Sequence, residues 1–218
     1  MKFDTVIFDM DGTLLNTLDD ITDSINEALK ECGYPARDRE EVKSFVGNGG
    51  RRLVFLALPE GAGECEIEDC LARFRSRYAI NMRRKTRPYE GITGLLSELK
   101  RLKIKTAVVS NKFEPSLKEL CSDIFPSLIS VVIGDSDGTR RKPAPDSVLK
   151  AIKELGSQKE RTVYVGDSDT DVETAKNAGI VCVGAAWGFR GRGVLEDKGA
   201  DYIIDAPEEL LGIPGFIK

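Results

Sequence analysis

The chain has 218 residues, 41% hydrophobic and 31% charged, which suits one globular domain or a domain with a smaller insert and excludes a fibre or a disordered chain. Its formal net charge of -4 offers no basic field for nucleic acid or an anionic membrane, and no stretch reaches the ~20 apolar residues of a membrane span. Histidine is absent altogether, which removes Ser-His-Asp and Cys-His hydrolysis, phosphohistidine intermediates and histidine-ligated zinc in one step.

The N-terminal MKFDTVIFDMDG lacks a signal-peptide pattern, with Val6–Asp9 reading as a buried strand that runs directly into acidic residues. From residue 16 to 86 the pattern turns helical. Leu18–Lys30, Arg39–Phe45, Arg51–Leu58 and Cys65–Met82 follow one another with no strand between them. A helical insert is expected there, leaving at the polar run Arg83–Arg87 and Pro88; the basic residues of that run suit a solvated helix end. Residues 1–15 and 87–218 then form the main unit, and 16–86 a cap.

Beyond the insert, strands Ile104–Ser110, Ile129–Gly134, Thr162–Asp167 and Ile180–Gly184 alternate with helices Ile92–Leu102, Pro115–Asp123, Pro145–Gly156 and Thr170–Gly179. Pro115 and Pro145 suit first helical turns, and Gly156 and Gly179 suit C-terminal caps. Tyr202–Ile204 suits an edge strand, followed by a helix near Pro207–Leu211. This rhythm predicts an α/β fold, a Rossmann-like parallel sheet with helices on both faces. The five cysteines are scattered without a Cys-x-x-Cys pair, so a reducing, cytoplasmic setting is expected.

Open parallel sheets bind ligands beyond the carboxyl ends of their strands. The first strand ends Asp9-Met10-Asp11-Gly12, and residues two apart in an extended segment point the same way, so Asp9 and Asp11 should project together. Gly12 lets the backbone turn and present amides to an anion. Asp167, at the end of a later strand, brought beside this pair makes a hard, oxygen-rich site suited to Mg2+. Ser110 and Asn111 end the second strand with a hydroxyl and an amide able to donate to phosphate oxygens, and Lys142-Pro143 adds a cation near a stiff turn.

In these residues the sequence resembles the haloacid dehalogenase superfamily, in its phosphatase branch with a helical cap. The matching segments are Asp9-Met10-Asp11-Gly12-Thr13-Leu14, Ser110-Asn111, Lys142-Pro143 and Gly166-Asp167-Ser168-Asp169-Thr170-Asp171. Within it, Phe45-Val46-Gly47-Asn48-Gly49 and Lys142-Pro143-Ala144-Pro145-Asp146 look most like the phosphoglycolate phosphatases. The resemblance implies that Asp9 attacks phosphorus to form an aspartyl-phosphate and that Asp11 is the general acid and base. It implies Mg2+ held by Asp9, the Asp11 backbone carbonyl and Asp167, with Ser168 and Asp171 supporting the ligands from behind. Gly12, Ser110, Asn111 and Lys142 would hold the phosphate. The expected partner is a small phosphorylated metabolite, 2-phosphoglycolate foremost, and neither nucleic acid nor membrane.

In the cap, Gly47-Asn48-Gly49-Gly50-Arg51-Arg52 admits two readings: loop amides with Arg51 or Arg52 receiving a substrate carboxylate, or a glycine-rich turn with surface arginines. Trp187-Gly188-Phe189-Arg190 either edges the cleft or simply packs in a loop. Pyrophosphatase, nucleotidase or sugar-phosphate mutase activity on the same scaffold stays open, as does a Mg2+-dependent phospho-ligand binding protein. A dehalogenase would leave Asp11 without a purpose. A phospho-accepting receiver module would be shorter and place its aspartate after a later strand.

Overall fold

The computed structural model describes residues 3–136 and 138–216. In chain order the elements are β1 (Thr5–Phe8), β2 (Leu15–Asn16), α1 (Leu18–Glu31), α2 (Arg39–Phe45), α3 (Gly50–Ala57), α4 (Glu64–Asn81), β3 (Arg87–Pro88), α5 (Ile92–Arg101), β4 (Lys105–Phe113), α6 (Glu114–Ile124), β5 (Val131–Asp135), α7 (Asp146–Glu154), β6 (Thr162–Gly166), α8 (Asp169–Ala178), β7 (Val181–Ala185), α9 (Gly191–Asp197) and β8 (Tyr202–Ile204). Six strands form a parallel sheet in the order β5-β4-β1-β6-β7-β8. This is the α/β, Rossmann-like sheet that the alternation predicts.

Alternation of side chains along each strand builds two apolar layers. Ile7, Ala107, Val109 and Tyr164 meet Val148 and Ala151 of α7 and Val172 and Ala175 of α8 on one face. Phe8, Val108, Val163 and Val165 join Ile92, Leu96 and Leu99 of α5 and Leu117 and Leu120 of α6 on the other. Both faces are covered, which is why the strands are almost wholly apolar.

The four helices α1–α4 lie between the two shortest strands, β2 and β3, which pair antiparallel through Leu15–Pro88 and Asn16–Arg87. On α1, Leu18, Ile21, Ile25 and Leu29 recur at helical spacing, and on α4 so do Ile67, Leu71, Phe74 and Tyr78; these stripes are buried in one cluster. The second crossing is pinned by Asp20 of α1, whose buried carboxylate accepts from the backbone amides of Lys85 and Thr86 and from the Thr86 hydroxyl. Three anchors on one side chain outweigh the cost of burying it.

Some boundaries differ from expectation for local reasons. β4 continues past Ser110 to Phe113, because the polar tail still pairs with β5, Phe113 facing Asp135 after a register shift. α7 begins at Asp146, with Pro145 at the N-cap rather than inside the first turn. The segment Pro207–Gly212 is a 3-10 helix. Helix α9 has no counterpart in the sequence reading: it contains Gly191 and Gly193, and of its residues Leu195 is the one buried.

Candidate active site

Strand register brings the site together. Phe8 pairs with Val108 of β4 and Val165 of β6, so the residues just beyond them, Asp9, Val109–Ser110 and Gly166–Asp167, share one edge of the sheet. Asp9 still donates its amide to Val165 O at 2.9 Å, after which the chain bends and Met10 O accepts from the amides of Leu14 and Leu15, each at 3.0 Å. Gly12 sits at φ +88, and a Cβ there would stand 2.4 Å from Asp167 Oδ2. Gly188 presses from the other side, where a Cβ would stand 2.2 Å from Asp167 Cβ. Asp167 is thus wedged between two backbones that only glycine lets so close. The Gly12 amide donates to Leu15 O at 2.9 Å, so Gly12 serves through conformation and absent bulk rather than by offering its own N–H to an anion.

Asp9, Asp167 and Asp171 are buried and each offers a carboxylate oxygen, all lying within 4.8 Å of one another. Asp167 is held by the Thr13 hydroxyl at 3.2 Å and the Phe189 amide at 2.6 Å. Asp171 serves two purposes. Its Oδ2 accepts from the Ser168 amide and hydroxyl, closing a capping box at the start of α8, while its Oδ1 accepts from Lys142 Nζ at 2.7 Å and the Tyr164 hydroxyl at 3.0 Å. Lys142 Nζ also stands 2.8 Å from Asp9 Oδ1. Beyond this ionic contact, Asp9 Oδ1 is buried with no well-aligned hydrogen-bond partner among the described residues.

Electrostatics follow from three crowded carboxylates, two of which share the Lys142 ammonium. Burial pushes Asp9 up to about 6, with Lys142 pulling it down and Asp171 pushing it further up. Burial also holds Asp167 well above the usual carboxylate range, reinforced by Asp171 and Asp9. Burial alone would depress Lys142, but Asp171 and Asp9 outweigh it and keep its ammonium well above the ordinary lysine range. An all-oxygen donor set, an orphaned carboxylate oxygen and surplus negative charge fit a hard divalent cation such as Mg2+.

Asp11 departs from the expectation that it projects with Asp9. β1 ends at Phe8, so the two-residue period no longer applies beyond it. The Asp11 carboxylate turns to Lys112, whose Nζ lies 2.8 and 3.1 Å from its two oxygens, and to the Thr17 hydroxyl at 2.7 Å. The carboxylate cluster therefore contains Asp171 in the place expected for the Asp11 side chain. Ser110 is buried and accepts from the Lys112 amide at 3.4 Å, its own proton given to nothing among the described residues. Asn111 donates to Gly47 O at 3.0 Å and Lys142 O at 3.1 Å and accepts from the Lys142 amide at 2.8 Å. Both of its amide protons are taken. It bridges the Gly47 turn and the Lys142 loop here, with no side-chain donor left for phosphate.

Of the two readings of the cap arginines, the side chains follow the one that keeps them out of the cleft. Arg51 pairs with Glu64 and Glu68 on the outer surface of the cap, and Arg52 lies over the exposed Phe55 ring. Neither lines the cleft between cap and sheet. That cleft is walled by Ile21, Val46, Leu53 and Phe74 and by Gly47, Gly49 and Gly50, with Asp9, Asp11, Ser110 and Lys112 at its floor and Arg75 and Tyr78 of α4 at its side. Asn48 accepts from the Thr170 hydroxyl at 3.5 Å, a contact from cap to α8. Lys112, Tyr78 and Arg75 escaped the sequence reading. Lys112 follows Ser110-Asn111 directly, a signal available in the sequence; Tyr78 and Arg75 carry none apart from helical spacing.

The segment 187–190 does more than pack. Trp187 donates to Thr13 O at 3.0 Å, and Phe189 holds Asp167 through its amide. Arg190 reaches across to the C-terminal end of α2, donating to Lys43 O, Ser44 O and Val46 O at 2.9, 3.2 and 2.7 Å. Among the described residues no helix is long and apolar enough to cross a membrane.

Residues 6–185 match the haloacid dehalogenase-like hydrolase family. Phosphoglycolate phosphatase 1 of Pseudomonas aeruginosa is 32% identical over 212 residues, covering 94% of this chain and 78% of that protein. The N-acetylmuramic acid 6-phosphate phosphatase of the same organism is also 32% identical, over 98% of this chain and 95% of its own. Among solved structures, a mutant of CbbY from Rhodobacter sphaeroides in complex with xylulose-1,5-bisphosphate superposes with a TM-score of 0.82 at 27% identity, over 99% of this chain and 97% of that one. A similarity spanning most of the chain, with relatives at 32% identity, identifies it as a member of the haloacid dehalogenase-like hydrolase family and as a phosphoric monoester hydrolase.

Proposed function

We propose that this chain hydrolyses a small phosphomonoester, 2-phosphoglycolate foremost, through a phospho-aspartate on Asp9 and with Mg2+ as cofactor. The observation that carries this reading is the buried Asp9–Asp167–Asp171 cluster, with an unbonded Asp9 oxygen beside Lys142 at the floor of a capped cleft. Asp9 attacks phosphorus in line, the bond from phosphorus to the ester oxygen breaks, and Asp11, which enters this step as the protonated acid, gives its proton to the departing alkoxide. Asp11 then takes a proton from water, whose oxygen attacks the aspartyl-phosphate and releases inorganic phosphate and the Asp9 carboxylate. Lys142 and the Ser110 hydroxyl hold the phosphoryl oxygens as charge spreads over them. Asp9, Asp167 and the Asp11 backbone carbonyl would hold the Mg2+, with Asp171 and Ser168 behind them. When bound, the ion offsets repulsion between the carboxylates and the phosphate dianion. The cap excludes bulk water from this chemistry.

The name shared by several relatives supports 2-phosphoglycolate as the substrate, and the small cleft supports a compact one. The test is a kcat/KM panel with Mg2+: 2-phosphoglycolate, N-acetylmuramic acid 6-phosphate, a sugar bisphosphate, a nucleoside monophosphate and pyrophosphate. Preference for 2-phosphoglycolate is expected, and a clear preference for another member overturns the substrate. Acid quenching during turnover, followed by peptide mass spectrometry, should place one phosphoryl group on Asp9. A phosphoryl group on any other residue, or none under single-turnover conditions, sinks the mechanism.

A further inference from the structure

Lys112 lies outside the carboxylate cluster, and nothing in the mechanism above uses it. Like Lys142, it is nevertheless buried and ion-paired. Its ammonium bridges both oxygens of Asp11, its side chain is 7% exposed, and its Nζ stands 4.4 Å from the centre of the Tyr78 ring. The three partners come from different places: Asp11 from the loop after β1, Lys112 from the tail of β4, and Tyr78 from α4 of the cap.

We propose that Lys112 is the positioning residue for Asp11, and that the Tyr78 ring makes its grip depend on the seated cap. Thr17 and the shorter Lys112 contact both fall on Asp11 Oδ1, while among the described residues Oδ2 has only the longer contact at 3.1 Å. The carboxylate is thereby fixed in one orientation, with Oδ2 the less engaged oxygen for exchanging a proton with leaving group or water. An ion pair shielded from water holds its partners far more tightly than a hydrated one. Tyr78 supplies that shield as a ring face over the ammonium. Its buried hydroxyl has no well-aligned hydrogen-bond partner among the described residues, whereas its ring faces the ammonium directly. With α4 lifted, the ammonium is hydrated and the grip on Asp11 slackens. Proton transfer is then efficient only once substrate is enclosed.

This inference rests on the proposed acid–base role of Asp11, and the experiment separates the two. Three esters are compared by kcat/KM, which reports phosphorylation of the enzyme: 2-phosphoglycolate, ethyl phosphate and p-nitrophenyl phosphate. The two alkoxides need a proton to leave, and p-nitrophenolate does not. Lys112→Met is expected to lower kcat/KM on both alkyl esters by about 100-fold and on p-nitrophenyl phosphate by no more than about 5-fold. Turnover of the nitrophenyl ester also shows that the variant is folded. Lys112→Arg should restore most of the alkyl activity, and Tyr78→Leu should show the same selectivity at about 5-fold. Equal losses on all three esters overturn the positioning role. A loss confined to 2-phosphoglycolate also overturns it, because Lys112 would then be reading the substrate carboxylate. Unaltered ester selectivity in Tyr78→Leu overturns the dependence on the cap. Asp11→Asn is run alongside. If it lacks the alkyl-selective loss, the acid–base assignment falls and takes this inference with it; if it shows that loss and Lys112→Met does not, only the inference falls.

Discussion

The loops at the strand ends and the loop that opens α3 begin with similar chemistry, glycine beside charged residues, and end with opposite fates. At the strand ends, Asp9, Lys142, Asp167 and Asp171 become a buried network in which one ammonium faces two carboxylates. In the cap, Gly47–Arg52 contributes its backbone to the cleft while Arg51 and Arg52 point to the outer surface. The difference is one of constraint. A parallel strand locked to neighbours on both sides has its end and its facing fixed by register. A helix start can place its first side chains anywhere around the axis, and the apolar stripe of α3, Leu53, Val54 and Ala57, decides which way it rolls.

The contrast is broken most sharply at Asp9. Asp9→Asn should cut kcat by about 10⁴-fold or more if it is the nucleophile. Its melting temperature should hold or rise, because one of three crowded carboxylates becomes neutral. Residual turnover within tenfold of wild type would remove Asp9 from that role.

Next in size is Gly188→Ala. The new methyl would fall 2.2 Å from Asp167 Cβ, so either Asp167 or the 187–190 loop must shift. A stability loss of about 1–3 kcal/mol is expected, with Mg2+ affinity weakened by about 10- to 100-fold. An unchanged metal titration would show that Asp167 is not held in place by that packing.

A third expectation concerns pH. Asp9 in the fold titrates near about 6, against ~3.9 for an unfolded aspartate, and Asp167 is raised in the same sense. In EDTA Asp9 thereby contributes stability that is complete below about pH 4 and is lost as pH climbs through about 6, and Asp167 acts in the same direction. Mg2+ competes with the same protons, so its stabilising effect on the melting temperature should be larger at about pH 7.5 than at about pH 5. A gain independent of pH would place the ion elsewhere.

Smallest of all should be Arg51→Ala and Arg52→Ala. Each is expected to alter kcat/KM by less than about 2-fold, equally on 2-phosphoglycolate and ethyl phosphate, because the exposed ion pairs of Arg51 and the exposed cation–π contact of Arg52 each contribute ~0–1 kcal/mol. A selective loss on the carboxylate-bearing ester would show that these side chains turn inward when substrate binds.

Much of the fold was legible because its signals are long and periodic. The runs Thr5–Phe8, Val131–Asp135, Thr162–Gly166, Val181–Ala185 and Tyr202–Ile204 and the four cap helices lie within a residue or two of where hydrophobic spacing puts them. What escaped is short or poorly patterned. β2 and β3 have two residues each, too few for any alternation to show, and α9 starts with Gly-Arg-Gly. At the site, the aspartates past β1 and β6 stood out because charge at the end of an apolar strand is conspicuous. Asp171 is expected behind the metal ligands; that it also closes the capping box of α8 follows from its place three residues after Ser168, but nothing local says that its second oxygen faces Lys142.

Sequence alone determined which strands are buried, in what rhythm they alternate with helices, and hence which acidic residues lie at the edge where an open sheet binds ligands. Only tertiary structure decided how those residues are shared out: Asp171 drawn into the cluster with Asp9 and Asp167, Asp11 turned aside to Lys112, and the cap arginines facing outward. The physical reason is range. Strand and helix periods are set within a few residues, whereas the direction of a charged side chain depends on which partner from a distant segment neutralises it. Here those partners, Lys112 for Asp11 and Lys142 for Asp9, lie more than a hundred residues away in the chain.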